Sequence, residues 1–480
     1  METIVKEKQI TFKTLEQKIF EHVCMLARKL TCTILETMDH ELSENRDRKL
    51  YRDKGKRTTT IKTVYGEVTY KRRVYETRTE DGRKAYVYLL DEKMQMDRIG
   101  LISTNLAEKI TMAVTEAPYR VTAETISSTS GQGISHGGVW NLVQKLGERI
   151  SREEEQAVKQ MKAGVPGGEK ALPVLFEEMD GVWLGMQDRG HKKKKKQEMK
   201  VFTMYEGWDE GKEKEGRSSL VGKVMLAGME KSQEFHEKRE ALIEKKYAAD
   251  EIGQRVLNGD GGNWIREDYD PETIYQLDRY HICQEILRKI SDRKAQGDIR
   301  ALLEEGKVEE MLEYIKIYAD SVASDEEKDK RSRKALELYQ YLKNNEEGLL
   351  PYRERGIRIP EPPEGVIYKN MGIQESQNCT VITLRMKHRR MRWSEGGADH
   401  LGKILYRKEN RELSETIGRY TDSLPLTVPE EEILKVLSAA KAPKKEGKGS
   451  VYAELVHRHM PIEDACRTEG RKALLAALIG

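Results

Sequence analysis

Two aspartates stand where apolar runs give way to glycine. Asp180 follows the apolar stretch 172–179 and precedes Gly181-Val182-Trp183, and Asp260 lies in Asn258-Gly259-Asp260-Gly261-Gly262-Asn263-Trp264. A carboxylate facing inward from a strand that otherwise reads as core is costly unless it is paired or holds a metal. Three glycines around the second carboxylate let a backbone or a ligand approach closely. Taken singly, each Asp-Gly is ordinary turn chemistry. The pair says more, because two carboxylates from neighbouring strands would meet at one site. Mg²⁺ (or Mn²⁺) suits such a site, binding a few carboxylates and keeping positions for water and phosphate oxygens. Two ions about 3.5–4 Å apart activate a water and stabilise the leaving oxygen of a phosphodiester.

A third carboxylate should come from a later helix. Glu375, in Gly372-Ile373-Gln374-Glu375-Ser376-Gln377-Asn378, opens a predicted helix and shares its face with Asn378, three residues on. Glu395, in Trp393-Ser394-Glu395-Gly396-Gly397, is the alternative. Helix logic prefers Glu375. Asp278-Arg279-Tyr280-His281 adds a fourth element at a strand-to-helix junction. His281 there would hydrogen-bond a scissile phosphate or hold Asp278 in place.

The elements that must position these residues follow from periodicity. Apolar residues at Leu15, Ile19, Val23, Leu26 and Leu30 predict a long helix over 14–44. Residues 58–78 alternate around Gly66 as a β-hairpin whose polar face is basic, with a third strand over 85–90. Helices are expected near 100–115, at 119–128 and from Ser135, an N-cap, to Leu146. Two short helices around Gly131 and Gly133 outline a helix-turn-helix, or an ordinary helical hairpin. Gly164, Pro166, Gly167 and Gly168 mark a boundary. Strands at 172–187, 200–205 and 219–226, a helix at 231–246, and strands ending at Asp260 and Asp278 then predict an α/β mixed sheet, with the first and fourth strands adjacent. Residues 284–346 read as helical, and a helix is expected over 374–386. The predicted segments are 1–98, 99–165, 166–283, 284–365, 366–424 and a tail at 425–480, the tail closing on a small helix with Leu474, Leu475, Ala477 and Leu478.

The 480 residues carry 85 Lys+Arg against 82 Asp+Glu, a net charge of +3, and a mean hydropathy of −0.74. No run of about 18 apolar residues suggests a membrane span. No signal peptide is seen, and five scattered cysteines form no C-x-x-C pair, so a reducing, cytoplasmic setting is expected. The charge is unevenly spread. From Arg46 to Arg78 twelve basic residues face four acidic ones, Lys192–Lys196 is unbroken, and Lys387–Arg392 is a further cluster. Arg57, Lys71, Arg72, Arg73, Lys192, Lys193, Lys194, Arg389 and Arg390 are therefore candidate phosphate contacts, or solvated surface.

The strings EEMDGVWLGMQ (177–187), NGDGGNWI (258–265), LDRYHICQEI (277–286) and MGIQESQN (371–378) resemble bacterial insertion-sequence transposases of the Lre-two family, Mutator-like enzymes with an RNase H-like DDE domain. The resemblance runs from about Glu169 to Gly402. Less specifically, it includes Pro118-Tyr119-Arg120 before the two short helices. It implies an RNase H-like core interrupted by a long helical insertion. It further implies Mg²⁺-dependent strand cleavage at the element's ends and attack of the freed 3′-hydroxyl on target DNA. By the same resemblance Asp180, Asp260 and Glu375 are the catalytic, metal-holding acids, and Asp278 and His281 the Asp-x-x-His motif. The family has a basic residue where this chain has Glu395, which favours Glu375. The implied partners are double-stranded DNA, as terminal inverted repeats and target, and further copies of the chain in a homodimer or larger assembly near the bacterial nucleoid. The rival readings are a transposase-derived DNA-binding protein without activity, another RNase H-like nuclease, and a tyrosine recombinase acting through Tyr280. The last lacks an Arg-rich companion motif.

Overall fold

In the computed structural model, residues 11–418 are described, apart from 80, 95–101, 188–195, 268 and 324–325. The chain divides into two compact units, one of residues 1–33 with 426–480, the other of residues 34–425. The expected tail helix and the lysines at 192–194 lie outside the described residues.

Helix α1 (Phe12–Asn45) precedes an antiparallel sheet of β1 (Arg52–Thr63), β2 (Gly66–Arg78) and β3 (Lys84–Val87). The hairpin closes with Thr63 opposite Gly66. Strand β2 alternates as far as Val74, with Val68, Tyr70, Arg72 and Val74 on the buried face and Lys71 exposed, and Tyr75 is then buried on the other face. Of the basic face expected for the hairpin, Arg57 and Lys71 are exposed, but Arg72 is corrected to the buried face. Arg72 lies among apolar neighbours, its Nε 2.7 Å from the Asp91 carboxylate and its guanidinium 3.6 Å over the Tyr88 ring. Arg73 is held by Asp39 at 2.8 Å. A charge so placed must be paired, because an isolated buried ion costs several kcal/mol.

Next come α2 (Leu89–Met94), α3 (Thr104–Glu116), α4 (Tyr119–Thr129) and α5 (His136–Lys162). Ser103 and Ser135 cap α3 and α5 with their hydroxyls, as their types favour. Helix α5 runs sixteen residues past Leu146, the expected end. Its buried stripe continues through Gly147 and Ile150, where the helix packs against a later helix.

The centre of the larger unit contains β4 (Leu172–Gly185), β5 (Lys196–Tyr205), β6 (Gly207–Asp209), α6 (Glu210–Lys214), β7 (Leu220–Val221), β8 (Val224–Gly228), α7 (Ser232–Lys246), β9 (Ile252–Gly259), α8 (Asn263–Arg266), β10 (Ile274–Leu277) and α9 (Arg279–Lys289). Among the described residues a five-stranded mixed sheet has the order β10-β9-β4-β5-β8. Strands β4, β5 and β8 pair antiparallel, while β9 runs parallel to β4 and β10 parallel to β9. The expected adjacency of first and fourth strands is what β4 and β9 adopt. The strand expected over 219–226 is instead two pieces, β7 and β8, parted where Gly222 takes a positive φ of 64°.

Helices α10 (Arg293–Glu304), α11 (Val308–Ser321) and α12 (Glu326–Asn344) form the insertion. Strand β11 (Val366–Ile367) pairs with β6. Then follow α13 (Gln374–Gln377), a π-helical turn over Asn378–Thr383, α14 (Leu384–Met386), α15 (Glu395–Glu409) and α16 (Leu413–Gly418). The single helix expected over 374–386 thus has a widened turn at its middle. Among the described residues no helix is long and apolar enough to cross a membrane.

Successive side chains on β4 point to opposite faces. Glu177 is fully buried on one face against Arg255, at 2.5 and 2.9 Å. Arg255 also binds Glu240 of α7, which takes a second guanidinium from Arg239. Glu178, equally buried, faces the other way, toward the site.

Candidate active site: a carboxylate–histidine cluster at the sheet end

Strand β9 ends where Gly259 lies opposite Met179, so Asp260 emerges next to Asp180. Asp180 is buried. Its Oδ1 accepts the Gly181 amide at 2.7 Å and its Oδ2 accepts Asn378 Nδ2 at 2.6 Å. His281 Nε2 lies 3.5 Å from the same Oδ2. Asp180, His281 and Glu375 each present a ligand atom, and these atoms all lie within 4.8 Å of one another. Three distant segments, β4, α9 and α13, therefore converge.

Asp260 stands beside this group but is not one of its three members. Its Oδ1 accepts the Gly262 amide at 2.8 Å, and Tyr341 donates its hydroxyl to the Asp260 carbonyl at 2.8 Å. Electrically it remains close. Burial raises its carboxyl, the Gly262 amide lowers it, and the charge on Asp180 raises it again. Glu395 is exposed at the start of α15, where it accepts a hydrogen bond from Gln197 at 3.0 Å. Glu375, not Glu395, joins Asp180.

A buried polar network sets the positions. Asp278 is the N-cap of α9, its Oδ1 accepting the amides of Tyr280 and His281, which orients the first helical turn and thus the imidazole. Its Oδ2 accepts Asn258 Nδ2 at 2.7 Å, and the same amide donates to Glu178 at 3.0 Å. Helix α13 starts without a capping side chain of its own. Glu178 supplies one from β4. It accepts the amides of Gly372, Ile373 and Gln374 at 3.0–3.2 Å and the Tyr205 hydroxyl at 2.7 Å. Gly372 holds a φ of 127°, a conformation side chains rarely tolerate, and so lets the loop wrap onto that carboxylate. Strand β4 thereby carries both Asp180 and the anchor for the helix bearing Glu375 and Asn378.

Burial lowers the proton affinity of His281. The hydrogen bond and charge of Asp180, backed by Asp278 and Asp260, outweigh it and carry the pKa to about 9. For Glu375, burial and then Asp180 push the carboxyl up, while His281 pulls it down. At Asp260 and Glu375 burial is thus the first cause of the raised carboxyl, the negative charge of Asp180 adds to it, and His281 opposes it. The converging donors are two carboxylates and an imidazole, and the hard carboxylate oxygens among them suit Mg²⁺ or Mn²⁺. On that chemistry the residues fit a divalent ion held by Asp180 and Glu375, with Asp260 alongside.

Two residues that bear on the site escaped the sequence reading. Glu178 had a signal, a carboxylate two positions before Asp180 and so on its face of the strand. Glu198 had none. It lies opposite Trp183 on β5, and its carboxylate fills the space where a Gly181 side chain would be. Burial, then Asp260, raises its carboxyl; Lys200 lowers it, and Asp180 raises it further.

Among the expected DNA contacts, Arg57 and Lys71 are exposed on the hairpin, whereas Arg72 and Arg73 are committed to Asp91 and Asp39. Arg390 is exposed, with a positive φ of 55°. Nothing is described of the Arg389 side chain. The 387–392 run adjoins the far end of β4, where Trp393 donates to the Gly185 carbonyl at 3.0 Å and accepts from Gln187 at 2.7 Å.

Residues 5–415 match the uncharacterised protein family UPF0236. The chain is 25% identical over 357 residues to the UPF0236 protein in vanSb 3′ region of Streptococcus gallolyticus, covering 72% of each. It is 25% identical over 417 residues to UPF0236 protein TTE2489 of Caldanaerobacter subterraneus subsp. tengcongensis, covering 85% of this chain and 81% of that one. UPF0236 protein TTE0610/TTE0881/TTE1053/TTE2432 of the same organism is 25% identical over 418 residues, covering 85% and 80%.

Proposed function

This chain belongs to the UPF0236 family, and from that premise we propose that it is a DNA transposase of the DDE type. In this reading it cleaves strands at the ends of a mobile element and joins the freed 3′-hydroxyl to target DNA. The observation that carries the proposal is the convergence of Asp180, His281 and Glu375 within 4.8 Å, with Asp260 at the end of the neighbouring strand. Three antiparallel strands followed by two parallel ones, in the order β10-β9-β4-β5-β8, are the arrangement we read as RNase H-like. The relative bearing four joined locus names in one organism is in keeping with a product that recurs in a genome, as a mobile element's would.

Asp180 and Glu375, with Asp260, would hold divalent ions. When bound, such ions offset charge on the phosphoryl oxygens and activate a water or hydroxyl for in-line attack. The chain's own residues do the rest. Asn378 fixes the Asp180 carboxylate, Glu178 fixes α13, and Asp278 fixes the turn that presents His281. His281 Nε2, 3.5 Å from Asp180 Oδ2, would donate a hydrogen bond toward a phosphate oxygen. Helices α4 and α5, joined by the turn at 130–135, serve in this reading as a helix-turn-helix. Exposed Arg57, Lys71 and Arg390 serve as sequence-independent phosphate contacts.

The test is nicking of duplex DNA taken from the borders of the gene, with Mg²⁺ and with EDTA. Cleavage leaving a 3′-hydroxyl, dependent on Mg²⁺ and abolished in Asp180→Asn and Glu375→Gln, is expected. Cleavage that persists in Asp180→Asn would remove this site from the reaction. Products joined to a second duplex distinguish a transposase from a simple nuclease.

A further inference from the structure

Beside the cluster, the helical insertion meets the loop that carries Asp260. The end of α12 and the one-turn helix α8 border a cavity of about 460 Å³ open to solvent, lined by Asn263, Arg266, Glu267, Tyr341, Asn344 and Asn345. Its wall is tied to the site. Tyr341 donates to the Asp260 carbonyl, and Asn345 donates to the Tyr341 carbonyl at 2.8 Å. Arg266 lies with its guanidinium 4.5 Å over the Tyr275 ring and, among the described residues, has no carboxylate partner.

The chemistry of this lining is specific. Asn263 and the Asn344 amide nitrogen offer donors and acceptors together, the combination that reads the edge of a nucleobase, while Asn344 Oδ1 accepts from Gln340 and Asn345 is spent on Tyr341. A guanidinium is planar, and one placed over an aromatic ring can take a base against its other side. Glu267 lines the same cavity, and its carboxylate disfavours a bare anion there relative to an uncharged base. The volume lies within the range of about 300–1,000 Å³ common for small-ligand sites. A base still paired in a duplex cannot enter such a recess, so its guest must be unpaired.

We propose that this cavity receives one unpaired nucleotide of the DNA strand that runs to the carboxylate cluster, its base held among the amides and against Arg266. This rests on the nucleic-acid reading above and deepens it. The cavity sets where the strand lies relative to Asp260, and Tyr341 links occupancy to that loop.

The experiment uses the full chain in EDTA, so that no cleavage occurs. The probe is a short single-stranded DNA carrying 2-aminopurine, and the readouts are anisotropy and 2-aminopurine emission. Wild type should bind and change the emission. Arg266→Ala and Asn344→Ala should each weaken binding about tenfold, the loss of one stacked or hydrogen-bonded base, and diminish the emission change. Arg266→Lys, which keeps the charge and loses the flat face, should resemble Arg266→Ala. Circular dichroism melts matching wild type establish that the variants fold. Wild-type affinity and emission in all three variants, or a wild type that does not bind the probe, overturns the assignment. Mg²⁺-dependent cleavage of duplex by wild type is scored separately. Binding lost in the variants with no cleavage by wild type would keep the cavity and remove the transposase. Cleavage with indifferent variants would do the reverse.

Discussion

Glu178→Gln isolates the device that seats the third acid. Glu178 Oε1 accepts from Tyr205, Gly372 and Ile373, and Oε2 accepts from Asn258 and Gln374. Glutamine has nearly the same shape but only one oxygen. If that oxygen takes the Oε1 place, its NH₂ faces two donors, the Asn258 amide and the Gln374 N–H. Asn258 cannot relieve the clash by turning over, because Nδ2 also serves Asp278 and Oδ1 accepts Gln276. Each buried donor left unsatisfied costs about 1–3 kcal/mol, so two cost about 2–6 kcal/mol. One of the two, the Gln374 N–H, belongs to α13, which has no other cap, and the other to Asn258 of β9. Amide hydrogen exchange at residues 372–377 should therefore accelerate by at least about fivefold, the equivalent of one donor at about 1 kcal/mol. Strand β5 and helix α5 should change less. Strand cleavage should fall with it, since Glu375 and Asn378 ride on that helix. Unchanged exchange at 372–377, with stability within about 0.5 kcal/mol of wild type, would refute the reasoning that a β4 carboxylate caps α13.

Gly181→Ala should damage the site without touching a catalytic group. The added methyl overlaps the Glu198 carboxylate, and reduced divalent-ion affinity by calorimetry, with the fold retained, is the expected outcome. In the hairpin, Arg72→Ala breaks a buried ion pair and should destabilise by about 3–5 kcal/mol in denaturant titrations. Lys71→Ala or Arg57→Ala should leave stability alone and lower the slope of DNA affinity against salt by about one each. An acid dependence follows from α7. Burial would raise Glu240, but Arg239 and Arg255 hold its carboxyl below the ordinary 4.5, and Lys403 and Lys238 likewise hold Glu230 down against its burial. A depressed carboxyl contributes stability that is fully present above 4.5 and is lost as pH falls through the folded value. Thermal midpoints should drop below pH 4.5, and the pH dependence should flatten in Glu240→Gln.

The legible parts of this chain were those where residue type and local context agree. Asp180, His281 and Glu375 stand out because apolar strands, an Asp-x-x-His junction and a helix start frame them, and the strand order placed β9 beside β4. The inward place of Arg72 is legible too. Val68, Tyr70, Arg72 and Val74 share one face at period two, so the arginine had to point inward with an acid to meet it. What stayed hidden depends on register between distant segments. No local pattern announces that Glu198 will lie over Gly181, or that Glu178 will cap a helix almost two hundred residues later. Asp260 lies outside the three-residue group, its carboxylate accepting the Gly262 amide of its own loop, which no sequence pattern announces. The π-helical turn at 378–383 likewise has no signature in a run that reads as one helix.

The central claim is that Asp180 and Glu375 jointly hold a divalent metal. Anomalous diffraction from crystals of the full chain soaked in Mn²⁺ tests it most directly. The account predicts an anomalous peak bonded to both carboxylates at about 2.0–2.2 Å, as for hard cations of this size, and absent in Asp180→Asn. Crystals in which Mn²⁺ sits elsewhere while the Asp180 and Glu375 carboxylates remain side by side without it would contradict the account.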